Sequence, residues 1–117
     1  MPHVVLNGEI DFEALFNKIK PLSIINGNVI LKTKETYIEK NKKDILIDSL
    51  AIEDNKKTSF LSLVSSRDDG VVIRLYPNMS VEKTNGVKQI LAELAMQFLH
   101  ANPELKLGKT NLQDYLK

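Results

Sequence analysis

The chain contains no cysteine and no tryptophan, and it holds only two histidines. Without cysteine there is no disulfide, no thiolate nucleophile and no sulfur ligand for a metal. That composition suits a reducing compartment. Long hydrophobic runs are missing too: none approaches the ~20 apolar residues of a membrane-spanning helix. Met1 to Glu9 lack the basic start and extended apolar stretch of a secretion signal, so a cytoplasmic location is expected. Charge of one sign is absent as well. Sixteen basic residues face fifteen acidic ones, leaving a formal +1, which excludes a strong global field toward nucleic acid or membrane. Among the basic residues only Arg67 and Arg74 are arginine. Lysine lacks the planar fork that reads phosphate or guanine bidentately, which counts against a sequence-specific DNA reader.

What is present is an ordinary globular balance, 43% hydrophobic and 26% charged over 117 residues. A chain of that size buries enough surface for one core without staples, so residues 1–117 are read as one domain.

His3 to Asn7 is a short apolar run that fits an edge strand. Asp11 is placed to cap a helix over 11–20, with Phe12, Leu15, Phe16 and Ile19 on one face and Pro21 ending it. Asn26-Gly27, between Leu22–Ile25 and Asn28–Leu31, predicts a type I′ hairpin. Further strands are expected over Asn28–Glu39, Asp44–Ile52, Thr58–Ser66 and Val71–Tyr76, separated by polar turns. Val87, Ile90, Leu91, Leu94, Ala95, Phe98 and Leu99 then form the apolar stripe of a long helix over 81–101, capped by Ser80 or Thr84, with Gly86 weakening its first turns. Residues 103–117 read as a mobile tail or a short helix with capping-box spacing at Thr110-Gln113. The fold class is therefore α+β: a two-layer sandwich in which a mostly antiparallel meander of about four to six strands is covered on one face by the two helices.

Alternation divides each strand between two faces. One face collects aliphatic residues that belong under the helices. The other mixes Leu46, Leu50, Phe60, Val64, Val72 and Tyr76 with Asp48, Ser62 and Arg74. An exposed antiparallel face is usually more cleanly polar, so these six apolar residues are the candidate interaction surface. Asp48 and Arg74 are the one charged couple expected to pair on it. On this reading Phe60→Glu disrupts association and leaves the fold intact.

Catalytic signatures are sparse. Gly108-Lys-Thr110 has the ending of a phosphate loop, but Pro103 occupies the position where the leading glycine must stand. A helix-capping turn is the expectation there. His3 and His100 have no partner at metal-ligand spacing, so no metal or other cofactor is expected. Asp68-Asp69 and Glu53-Asp54 sit in polar turns and read as solvated. Asn78-Met-Ser80 matches a glycosylation acceptor that carries no meaning without secretion. The sum is a small non-enzymatic interaction or regulatory domain that self-associates through its uncovered sheet face. One alternative is nucleic-acid binding through Lys40, Lys42, Lys43, Lys56 and Lys57 in the turns. The other is a small molecule held between helix and sheet.

Overall fold

The computed structural model describes residues 1–77 and 80–116. Asn78 and Met79, which begin the glycosylation acceptor, lie outside them. The elements run β1 (His3–Asn7), α1 (Phe12–Lys18), β2 (Ser23–Asn26), β3 (Val29–Ile38), β4 (Asp44–Glu53), β5 (Lys56–Arg67), β6 (Gly70–Leu75), α2 (Asn85–Ala101) and β7 (Lys106–Thr110), with a final 3-10 turn at Gln113–Tyr115. The strands form one antiparallel seven-stranded sheet in the order β2-β3-β4-β5-β6-β1-β7, curled into a half-barrel around α2.

Five consecutive strands, β2 to β6, make the expected meander. Its turns fall where expected, but one is of a different type. At Gly27-Asn28 only Gly27 has positive φ, 61°, whereas a type I′ turn needs it at both central residues. The type I′ pattern occurs instead at Asp54-Asn55, with φ of 51° and 73°, between Glu53 and Lys56, which pair across β4 and β5. β3 is one strand bent by a register shift between Thr33 and Thr36, at the polar middle of the long strand that the sequence outlines.

The two ends of the chain depart from expectation. β1 is not an edge: it pairs with β6 on one side and β7 on the other. The tail after α2 is thus part of the sheet. Asn111 ties it to the N-terminus, its Oδ1 accepting from the His3 amide at 3.0 Å and its Nδ2 donating to Met1 O at 2.7 Å. Thr110 starts no capping box. Its hydroxyl donates to His3 O at 2.7 Å and accepts from the Leu112 amide at 2.9 Å. Gly108 is a strand residue whose missing Cβ leaves room for Val5 O and the Asn7 side chain, so neither a phosphate loop nor a helix cap exists there.

α1 is capped as expected, Asp11 Oδ1 accepting from the amides of Glu13 and Ala14. It meets the far end of α2, where Lys18 Nζ donates to Ala101 O and Asn102 Oδ1, a cation at the negative end of a helix dipole. α2 buries Val87, Ile90, Leu91, Ala92, Leu94, Ala95 and Phe98, because a curled sheet encloses more of a helix than a flat one. Opposite it lie Val4, Leu6, Leu31, Ile45, Ile47, Phe60, Val64, Val71, Ile73 and Leu75. The inner face also buries three hydroxyls. Ser49 Oγ and Ser62 Oγ share a hydrogen bond of 2.8 Å, and Thr33 Oγ1 accepts from the Leu22 amide at 2.8 Å.

α2 starts at Asn85, with Thr84, the later of the two expected caps, as its N-cap. Glu53 is no solvated turn acid. Its Oε1 accepts from the Gly86 amide at 2.8 Å and its Oε2 from the Thr84 hydroxyl at 2.6 Å. Thr84 Oγ1 in turn accepts from the Val87 amide. A carboxylate here satisfies free first-turn amides at the positive end of the helix. A Cβ on Gly86 would stand 2.7 Å from Glu53 Cδ, so the glycine makes room for the cap.

A double-mutant cycle checks this coupling. Glu53→Ala is expected to cost about 1–3 kcal/mol by leaving a buried amide unpaired. Gly86→Ala should fail to return the ~1 kcal/mol that removing a helix glycine usually gives, and should return it once Glu53 is alanine. Urea denaturation of the four proteins reads the cycle. Effects that add to within about 0.5 kcal/mol would contradict the coupling.

Candidate interaction surface

Register decides which side chains share the outer face. Counting back from the Glu53–Lys56 turn, Leu46 stands opposite Leu63, Asp48 opposite Leu61 and Leu50 opposite Ser59. From the Arg67–Gly70 turn, Leu63 stands opposite Arg74 and Ser65 opposite Val72. Tyr37 flanks Leu46 from β3, and Val5 flanks Val72 from β1. Tyr76, whose amide donates to Leu61 O, continues β6 on the same side. Leu46, Leu61 and Leu63 are therefore mutual neighbours at the centre, extended by Leu50 and Ile52 toward one end and by Val72 and Val5 toward the other.

Four of the six expected surface residues, Leu46, Leu50, Val72 and Tyr76, lie on this face and are half-buried by one another. The other two do not. Phe60 and Val64 are 2% and 0% exposed on the inner face, and their places on the outer side are taken by Leu61, which is partly exposed, and Leu63, which its neighbours leave only 6% exposed. The alternation within β5 reads correctly from the sequence, but its two sides are interchanged. Phe60-Leu-Ser-Leu-Val64 is apolar on both sides except for Ser62, and the one polar residue points inward to meet Ser49. The two-residue turn at Asp54-Asn55 is the signal that assigns the sides, because it fixes every β4–β5 pair.

Asp48 and Arg74 do share the outer face, but they are not a pair. They stand two strands apart and one step out of register, Asp48 beyond Leu61 and Arg74 beyond Leu63. Among the described residues the ion pairs are Lys42–Glu13, Lys56–Glu82 and Arg67–Asp69, none involving either side chain. Arg74 Nε is closed off from solvent without a hydrogen-bond partner among the described residues. It borders a shallow depression of about 480 Å³ lined by Tyr37, Leu46, Leu63, Tyr76 and Asp44.

The lysine turns do not converge. Lys40, Lys42 and Lys43 sit beside the Asp68-Asp69 turn, as the amide of Ser66 donating to Lys43 O shows. Lys56 and Lys57 sit at the opposite end of β5. Lys42 and Lys56 each face a glutamate, which breaks any continuous stripe that would track a phosphate backbone. Between helix and sheet the space is filled by core side chains. What opens there is a hollow of about 270 Å³ at the start of α2, between Ile24, Leu31, Gln89 and Tyr115, slightly smaller than the ~300–1,000 Å³ of typical ligand clefts. No group of three or more metal-ligating side chains converges among the described residues, and no helix among them is long and apolar enough to cross a membrane.

No protein-family model matches this chain, and comparison with curated proteins and with solved structures returns no significant match.

Proposed function

We propose that this chain is a small non-enzymatic interaction domain that self-associates through the outer face of its sheet. One observation supports the reading above others. α1 and α2 roof the inner face, while Leu46, Leu50, Ile52, Leu61, Val72 and Tyr76, each partly exposed, make a band on the outer face around Leu63, which is itself only 6% exposed. A sheet face left to solvent ordinarily alternates to polar residues, and a connected apolar band on a surface marks a contact with another molecule.

Because the sheet curls away on this side, a second copy touches mainly β4, β5 and β6. Three strands at ~4.8 Å spacing and about 30 Å long present roughly 400 Å² per copy, which places the contact in the small, weak class of interfaces. Association in the micromolar range is the expectation.

The double variant Leu46→Thr/Leu61→Thr tests the reading, since threonine keeps strand preference while removing the apolar centre. Its circular dichroism and melting should stay close to wild type, and its sedimentation should become that of a monomer. An unchanged assembly in this variant would overturn the proposal.

A further inference from the structure

We propose that the open edge of β2 takes up an extended peptide of another protein as a further strand, one that carries a lysine or arginine between two apolar residues. This site is separate from the outer-face band, and it holds whether or not the chain self-associates.

β2 ends the sheet. The Thr33 amide donates to Leu22 O at 3.0 Å, which sets the phase of the β2–β3 ladder. Leu22, Ile24 and Asn26 bond to β3, so the N–H and C=O groups of Ser23 and Ile25 face away from it. Native edges are ordinarily kept from pairing by lysines and bulges. The opposite edge, β7, has both: Lys106 and Lys109, and a register shift against β1. β2 reads Ser-Ile-Ile-Asn, without charge or bulge. Ile25 on it is 72% exposed, the most of any large hydrophobic side chain among the described residues.

A groove runs beside this edge, because β2 and α2 lie alongside in opposite directions. At one end the Lys20 amide donates to Gln97 Oε1 and Gln97 Nε2 donates to Lys20 O, both at 3.0 Å. There Leu22 and Met96 line a hollow of about 400 Å³. At the other end Ile24 and Asn26 face Asn85 and Gln89 across the hollow of about 270 Å³. Glu93 lines both, which makes them two parts of one groove. A strand added to β2 sends alternate side chains into it. Apolar groups suit the two hollows, and the position between them meets Glu93.

Glu93 is half-buried and makes no ion pair among the described residues. Its Oε2 accepts from Gln89 on its own helix. Glu53 adds a second carboxylate, and His100 at the far end is the one basic side chain lining either hollow. A cation at the middle of the peptide answers this charge. The β2 edge of a second copy does not, since Ser-Ile-Ile-Asn brings no cation to Glu93.

The test is a nuclear magnetic resonance titration of isotope-labelled protein with the end-blocked peptide Thr-Val-Thr-Lys-Thr-Leu-Thr. The amides of Ser23 and Ile25 should move downfield as they gain acceptors, together with amides of α2 from Asn85 to Gln97. Saturation is expected at a dissociation constant of roughly 10–500 µM, as suits so small a contact. Exchanging the peptide's lysine for glutamate should weaken binding about tenfold or more, and Glu93→Lys should reverse that preference. Methylating the lysine nitrogen and those of the threonines on either side removes the central donors to β2, whichever way the strand runs. Binding should then be lost with the protein unaltered. Ile25→Pro should act likewise from the other side, as an edge strand tolerates proline. Ser23 and Ile25 amides that stay in place at millimolar peptide, or equal binding of the methylated peptide, would overturn the added strand. A preference for lysine that persists in Glu93→Lys would overturn the charge recognition.

Discussion

Gly70→Ala is expected to be the most damaging single methyl group that can be added to this protein. Gly70 opens β6 with φ of 151°, a backbone conformation that side chains rarely adopt. A Cβ there would stand 1.9 Å from Leu6 O, 2.9 Å from Leu6 C and 3.0 Å from Asn7 Cα. All three are backbone atoms of the neighbouring strand, so no side chain can swing aside. Relief requires β1 to move away from β6 at the Asn7–Gly70 pair, and β1 carries β7 with it. Backbone strain and the lost pairing together should exceed about 3 kcal/mol, a large share of the roughly 5–15 kcal/mol by which a domain of this size is stable. Gly27→Ala is the control. Gly27 also has positive φ, but nothing lies within 4 Å of its Cβ position, so the cost should stay near the ~1–2 kcal/mol of left-handed strain alone. Equal losses for the two variants in chemical denaturation would contradict the role given to β1.

Phe60→Ala should come second, at about 3–5 kcal/mol, because a large buried ring leaves a cavity that a sheet under a helix cannot close. Phe60 is 2% exposed, opposite Ser49 under α2. Phe60→Glu should therefore unfold the chain, the opposite of the surface effect that alternation alone suggests, since an unpaired carboxylate would be driven into the core. Leu61→Ala, one residue along and outside, should cost no more than about 1.5 kcal/mol, as a half-exposed leucine has less to lose. Thermal melts of the two alanine variants separate the faces directly. A larger loss at Leu61 than at Phe60 would contradict the register of β4 and β5.

These two residues mark what the sequence makes legible and what it hides. α2 is readable because its apolar positions recur at helical spacing over seventeen residues, and the meander because polar turns interrupt each strand. β7 is not readable as a strand. Lys106-Leu-Gly-Lys-Thr110 holds one large apolar residue, Leu107, and that one is 49% exposed. Its pairing with β1 is a contact between the two ends of the chain that no local pattern encodes. The inward side of β5 is hidden for a different reason. Where both sides of a strand are apolar, polarity offers one vote, and Ser62 casts it wrongly because its hydroxyl is satisfied by Ser49 inside the core. Gly86 misleads in the same manner: as a lone helix residue it signals weakness, and only the carboxylate of Glu53, thirty-three residues earlier, explains it. Of the candidate surface, Leu46, Leu50, Val72 and Tyr76 could be placed from alternation, whereas Leu61 and Leu63 required the register.

Two copies of this chain are proposed to meet through the leucine-lined outer face. The most direct measurement is sedimentation equilibrium of the wild-type protein at near-physiological salt, from about 1 to 300 µM, the span in which a contact of this size should assemble. The mass is expected to rise from one chain to two with a micromolar dissociation constant. A single-chain mass at every concentration would contradict it.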